Sequence, residues 1–290
     1  MRADAAIKTT PPATDDNPPY ERLAIYYLKG KAGDGPFPFG DHFIGNWEED
    51  DCSFLFFSRA ADNEVKRFVR QQSHLDMADI FHMTYEEWQA LDSFPLVAGG
   101  WCLYPPWFSH PDPATEGNRP VLLDPGVVFG SGLHPTTRDC LEAMDLLLHQ
   151  HDQEINSAVD IGTGTGLLAV CAALSGIRQV IGMDLNFLAA RTADRNVLLN
   201  GVQQQVMIVK GDARNFATAP ADLLIANIHY DIMRHLIVSD AFIACKYFII
   251  SGLLRTPARR VQEQLADLPV KIIKKWNAEQ IWCTILGKVL

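Results

Sequence analysis

The sequence has no long apolar run. Its most apolar stretch, Tyr247 to Leu254, contains Ser251 and Gly252 and falls far short of the ~20 residues needed to cross a bilayer. The first residues, MRADAAIKTTPPATDDNPPY, have no apolar core of the signal-peptide kind; four prolines and three aspartates there predict a disordered lead over 1–20. Cysteine is sparse and scattered: Cys52, Cys102, Cys140, Cys171, Cys245 and Cys283 form no C-x-x-C pair and no metal-ligand spacing with the nine histidines. The expectation is reduced thiols in a cytoplasmic protein, with no metal and no membrane partner. Basic charge is also short. Lys and Arg number 25 against 35 Asp and Glu, a net charge of −10, which argues against direct sequence-specific nucleic-acid binding.

The acidity is unevenly placed. Residues 1–110 hold 9 basic and 17 acidic side chains, and residues 111–290 hold 16 and 18, so the first third carries −8 of the total. Such a face keeps a domain soluble, or it attracts a basic partner. After the lead, LAIYYLKG (23–30), HFIGNWEE (42–49) and SFLFFS (53–58) predict strands, 62–72 a helix and 79–84 a further strand, together a small α+β domain over 21–107. The polar segment 108–120, with three prolines, predicts a linker.

From residue 121 onward the pattern is α/β. Short apolar strands (AVDIG, VIGMD, VMIVKGD, ADLLIANI, YFIISGL) alternate with helical segments, which predicts a parallel sheet covered on both faces. VKIIKKW and QIWCTILGKVL are too closely spaced for a crossover helix, so they predict an antiparallel C-terminal hairpin at the sheet edge.

The strongest single motif is Val159-Asp160-Ile161-Gly162-Thr163-Gly164-Thr165-Gly166, a strand entering glycines and then a helix. Glycine allows the tight turn and lets a ligand lie against bare backbone. Asp184 ends the next strand, 18 residues beyond Gly166, where a carboxylate can take both hydroxyls of a ribose. Two cofactors fit. A dinucleotide fingerprint begun at Gly162 meets Leu167 where a small residue is needed, and begun at Gly164 it meets Ala169, which leaves a nicotinamide dehydrogenase open. The G-x-G-x-G form is instead that of class I methyltransferases, whose sheet is Rossmann-like with its last strand reversed.

Residues 122–137, LLDPGVVFGSGLHPTT, resemble the segment that ribosomal protein methyltransferases of the PrmA type carry ahead of their glycine loop. VDIGTGTGLLAV, VIGMD and ADLLIANI resemble the following motifs of that family, in order, over roughly 120–290. More weakly, Trp88, Phe94 and Leu103 to Trp107 resemble its bridge between domains. The resemblance implies a Rossmann-like class I methyltransferase domain over 121–290 that binds S-adenosyl-L-methionine, and a recognition domain ahead of it. It also implies transfer of methyl groups to lysine or N-terminal amines of a basic protein of the large ribosomal subunit. Position by position, it assigns Thr137, Gly162, Asp184 and Asn227 to the cofactor, with Asn227 also the catalytic, amine-orienting residue; Gly164 of the glycine loop and Asp212, ending the third strand as an adenine neighbour, are the further cofactor candidates. Leu133 departs from the pattern, standing where the family shows threonine.

Methyl transfer to an amine needs a neutral, positioned nucleophile rather than a triad. In Asn227-Ile228-His229-Tyr230, Ile and His replace the prolines of the N-P-P-Y tetrad found in enzymes that methylate planar amino groups, which favours an sp3 amine. His134 reads as a loop-fixing hydrogen-bonder more than a base. Trp47, Trp88, Trp101 and Trp107 read as packing groups more than as a peptide groove. A small-molecule amine methyltransferase and a non-catalytic cofactor-binding module remain the alternatives.

Overall fold

A computed structural model of the chain describes residues 17–90, 93–108, 117–151, 155–213 and 221–290. The expected lead lies outside these up to residue 16, and so does most of the expected linker. Tyr20, at the end of that lead, packs edge-on to Tyr85 with ring centroids 5.8 Å apart.

The first unit is built from β1 (Arg22–Lys29), β2 (Phe43–Glu49), β3 (Cys52–Phe57), α1 (Asp62–Arg70) and β4 (Asp76–Thr84), its sheet ordered β2-β3-β1-β4 and antiparallel throughout. One face, with Tyr26, Leu28, Leu55 and Phe57, closes on Val65 and Phe68 of α1. The opposite face, with Leu23, Ile25 and Phe56, packs on Val127 and Leu188 of the larger unit. Burial on both faces explains why β1 reads as a continuous apolar run rather than an alternation.

A short helix, α2 (Tyr85–Gln89), follows, closed by a capping box in which Thr84 and Glu87 satisfy each other's backbone N–H. Then come β5 (Leu96–Ala98), β6 (Trp101–Tyr104) and β7 (Arg119–Leu122), a three-stranded sheet absent from the sequence reading. Here β6 precedes the 108–120 segment and pairs in parallel with β7, which begins at its last two residues. Phe94, Ala98, Trp101 and Leu103 share one core with Leu141, Leu167 and Val170, so 94–104 packs on the C-terminal unit.

That unit runs α3 (Pro135–His151), β8 (Ser157–Ile161), α4 (Leu167–Leu174), β9 (Gln179–Asp184), α5 (Phe187–Leu199), β10 (Val206–Lys210), β11 (Leu223–Asn227), α6 (Tyr230–Leu236), α7 (Asp240–Ile243), β12 (Tyr247–Leu254), α8 (Arg255–Ala266), β13 (Val270–Ala278) and β14 (Trp282–Val289). Its sheet is ordered β10-β9-β8-β11-β12-β14-β13. Strands β8 to β12 are parallel, and β14 runs antiparallel to both β12 and β13, inside the hairpin whose outer strand β13 is the edge. Along β11, Leu223 and Ile225 face one core and Leu224 and Ala226 the other, the two-residue period of a strand covered by helices on both sides. Strand order reverses between β8 and β11, the switch point at which open α/β sheets form their ligand crevice.

A buried polar cluster ties the parts together. The wholly buried Asn196 of α5 accepts from Asp124 N (2.8 Å) and donates to Asp124 O (2.9 Å) and Thr165 O (2.8 Å). The Asp124 carboxylate receives Tyr85 Oη (2.9 Å) from α2 and pairs with Arg195 (3.0 Å). Replacement Asn196→Ala strands the Asp124 amide and two carbonyls in a dry site, and unfolding in urea is expected to show a loss of ~2–4 kcal/mol.

Candidate functional site

A cavity of about 410 Å³ opens at the carboxyl ends of β8, β9 and β11, the switch point of the sheet. Its floor is backbone. Gly162 and Gly164 have φ of 71° and 56°, and a Cβ on Gly162 would lie 2.3 Å from Ile228 Cγ2, one on Gly164 2.3 Å from the Phe129 carbonyl oxygen. No L side chain fits either position. Gly166 (φ 81°) serves a different purpose: its Cβ would meet Ala193 at 2.9 Å, so it allows α4 and α5 to pack and does not line the cavity. Gly162 and Gly164 are therefore the cavity-lining pair, and the register that needs Gly166 as second glycine does not match this arrangement.

Asp184 ends β9 with its carboxylate on the cavity wall. Gly164 N donates to its Oδ2 (3.0 Å) and Asn186 N to its Oδ1 (2.9 Å). Burial raises its pKa, and the amides of Asn186, Gly164 and Leu185 oppose the shift. Asp212 follows β10 on the same wall. Asn227 ends β11 across the cavity, where Nδ2 donates to Thr137 Oγ1 (3.3 Å) in the first turn of α3. Its Oδ1 is buried and has no hydrogen-bond partner among the described residues. All six residues singled out from sequence thus fall at one place: Gly162, Gly164, Asp184, Asp212 and Asn227 on the wall, and Thr137 behind Asn227.

The loop over the cavity is tied to the floor by Thr165, whose N donates to Phe129 O (3.0 Å) and whose Oγ1 donates to Gly130 O (2.7 Å). Phe129 is 46% exposed at the rim. His134 lies at the start of α3 with Nδ1 on Thr136 Oγ1 (2.7 Å) and its ring between Phe129 and Trp282. Burial holds its pKa below the usual value, with the charge of Glu279 opposing, which suits a fixed neutral ring. His229 caps α6, accepting from Asp231 N (3.4 Å).

The sequence reading did not place several wall residues. Gly252, read there only as an interruption of an apolar run, has φ 79°, and a Cβ would meet the Ile228 backbone at 2.7 and 2.9 Å and Asn227 Oδ1 at 3.1 Å. Its signal is a Ser-Gly pair at the end of a strand paired in parallel with β11, Ser251 lying opposite Asn227. Trp282 and Leu254 also line the wall, as does Trp47 from the N-terminal sheet. Of the other tryptophans, Trp101 is buried under Arg119 and Trp107 packs on Tyr85. Among the described residues no group of three or more His, Cys, Asp or Glu converges as a metal site, and no helix is long and apolar enough to cross a membrane.

Residues 55–289 match the family model described as ribosomal protein L11 methyltransferase (PrmA). The chain is 36% identical over 171 residues to the ribosomal protein L11 methyltransferase of Exiguobacterium sibiricum, covering 58% of this chain and 52% of that protein. It is 32% identical over 223 residues to the protein of the same name from Streptococcus pneumoniae, covering 74% of this chain and 66% of that one. The chain thus spans between half and two thirds of the length of these relatives. A crystal structure of ribosomal protein L11 methylase from Lactobacillus delbrueckii superposes with a TM-score of 0.55 at 24% identity, over 66% of this chain and 94% of that one. The fold is the Rossmann-like sheet of class I methyltransferases.

Asp160, 1% exposed beneath the glycine loop, accepts from Thr163 Oγ1 (2.6 Å), while its Oδ1 has no partner among the described residues. Burial raises its pKa from 3.8 to about 7. The native state thus keeps a proton that the unfolded chain has lost between those values, so this group's contribution to stability falls as pH rises from about 4 to about 7. Asp160→Asn, which cannot ionise, is expected to gain stability relative to the wild type across that window in urea unfolding of the ligand-free protein. Parallel pH profiles would contradict the buried-acid assignment.

Proposed function

The chain belongs to the ribosomal protein L11 methyltransferase (PrmA) family, and on that premise we propose that it is an S-adenosyl-L-methionine-dependent protein N-methyltransferase acting on amino groups of a ribosomal protein of the L11 kind. The observation that carries the reading is the buried, unpartnered Oδ1 of Asn227, beside Gly252, on a cavity wall shared with Gly162, Gly164 and the Asp184 carboxylate. A buried acceptor without a donor costs stability, so a site that keeps one fits a ligand or substrate N–H.

The residues fit the cofactor. Asp184 would hold the ribose hydroxyls, the Gly162 and Gly164 backbone would take the methionine part, Asp212 would take the adenine, and Thr137 steadies the Asn227 amide. S-adenosyl-L-methionine, when bound, supplies an electrophilic methyl on a positively charged sulfur. Asn227 Oδ1 then accepts one N–H of the amine and turns its lone pair toward that methyl. A free lysine has a pKa of ~10.4, so the neutral form must be favoured. The apolar walls formed by Phe129, Ile228 and Trp282 do this by desolvation.

Substrate recognition belongs in this reading to residues 21–107, whose acidity suits a basic protein, with 108–120 as linker and 121–290 as the cofactor domain. The reaction is placed in the cytoplasm, beside the ribosome. Incubation of the full chain with methyl-labelled cofactor and unmodified large-subunit proteins is expected to label one protein band, at lysine or N-terminal amines by mass spectrometry. Asp184→Ala, still folded by circular dichroism, is expected to lose both the label and calorimetric cofactor binding. Label found only in small molecules would contradict the protein substrate, and undiminished binding by the variant would contradict the site.

A further inference from the structure

Among the described residues, every one lining the cavity lies at position 129 or beyond except Trp47, on β2 of the N-terminal sheet. It lines the cavity together with Asp184 and Leu185, on the wall that the proposed reading gives to the nucleoside. Trp47, Asp184 and Leu185 also line a second cleft, of about 590 Å³, between β2 and the start of α5. These three side chains are the partition between the cavity and the interdomain cleft.

The delivery of Trp47 is built into both units. Strand β2 is the edge of its sheet, so carbonyls on its outer side lack a strand partner. Two of them are taken by α5 instead: Asn186 Nδ2 donates to Asn46 O (3.1 Å) and Arg191 donates to Ile44 O. Between them, Gly45 lets Leu188 approach; a Cβ there would lie 3.0 Å from both Leu188 methyl groups. Lys210 pairs with Asp34 at 2.8 Å on the same side. Asn186 is the shared part. Its side chain holds the strand of Trp47 and caps α5, while its backbone N–H donates to the Asp184 carboxylate.

We infer that the N-terminal sheet completes the cofactor site: Trp47 packs on the nucleoside end, and cofactor binding and the docking of β2 on α5 stabilise each other. The inference rests on the cofactor reading above. An indole is suited to a flat, weakly polar nucleoside, and the coupling is reciprocal because the same contacts exist only when both events have occurred. A cofactor-loaded molecule therefore presents its substrate-recognising sheet in one orientation.

The test uses the full chain and S-adenosylhomocysteine as ligand. By calorimetry, Trp47→Ala is expected to bind roughly tenfold more weakly, Trp47→Phe to recover most of the loss, and Trp88→Ala, at a residue that meets Phe56 edge-to-face and does not line the cavity, to match the wild type. In the wild type, independently of how any variant folds, ligand is expected to slow amide hydrogen exchange in peptides covering 43–49. Equal affinity of Trp47→Ala and wild type, or exchange over 43–49 that ignores the ligand, would overturn the inference while leaving the cofactor reading intact. A wild-type chain that does not bind the ligand would overturn that reading itself.

Discussion

The carboxamide of Asn196 is the contact on which the site depends. From the buried side of α5 it holds the main chain at Asp124 and at Thr165, and these two points anchor the loop over the cavity and the glycine floor beneath it. Thr165 then binds Phe129 and Gly130 from the same floor. The cavity is thus enclosed by backbone segments held at fixed separation. Glycine stands at 162 and 164 because a Cβ there would meet the Ile228 side chain and the Phe129 carbonyl oxygen, each at 2.3 Å. On the proposed reading, the apolar lining from Phe129, Ile228 and Trp282 would desolvate an amine there and favour its neutral form.

The same hub reaches the N-terminal unit. Asp124 receives the Tyr85 hydroxyl from α2, and Gln89 donates to the Gly126 carbonyl, so the first unit grips the loop as well as the far end of α5. Two attachments, one through Asp124 and one through Asn186, set the orientation of the acidic sheet relative to the cavity. On the proposed reading, the acidity of the first third would then bear on what approaches Asn227.

Much of this was legible in the sequence where local chemistry decides the outcome. Short apolar runs ending in glycine, aspartate or asparagine mark β8, β9 and β11, and the close spacing of the last two strands marks the reversed hairpin. Where tertiary contact decides, it was not legible. Strands β5, β6 and β7 are only three or four residues long, and β7 is held by a parallel partner across the linker segment. Asn186 and Asn196 carry no local signal, because nothing nearby in sequence shows that their partners are Asn46 in the N-terminal sheet, and Asp124 and Thr165 in the loop and the glycine turn. Trp47 reaches the cavity only because an edge strand is completed by a helix some 140 residues away. Ile228, a departure from the tetrad proline, makes sense once its methyl is seen lying against Gly162.

The central claim is that one cavity, floored by Gly162 and Gly164 and flanked by Asp184 and Asn227, is where cofactor and amine meet. A crystal structure of the chain with S-adenosylhomocysteine tests it most directly. The account predicts both ribose hydroxyls within ~3 Å of the Asp184 carboxylate, the amino acid part over the two glycines, and the sulfur on the Asn227 side. A ligand seated elsewhere, or with its ribose away from Asp184, would contradict it.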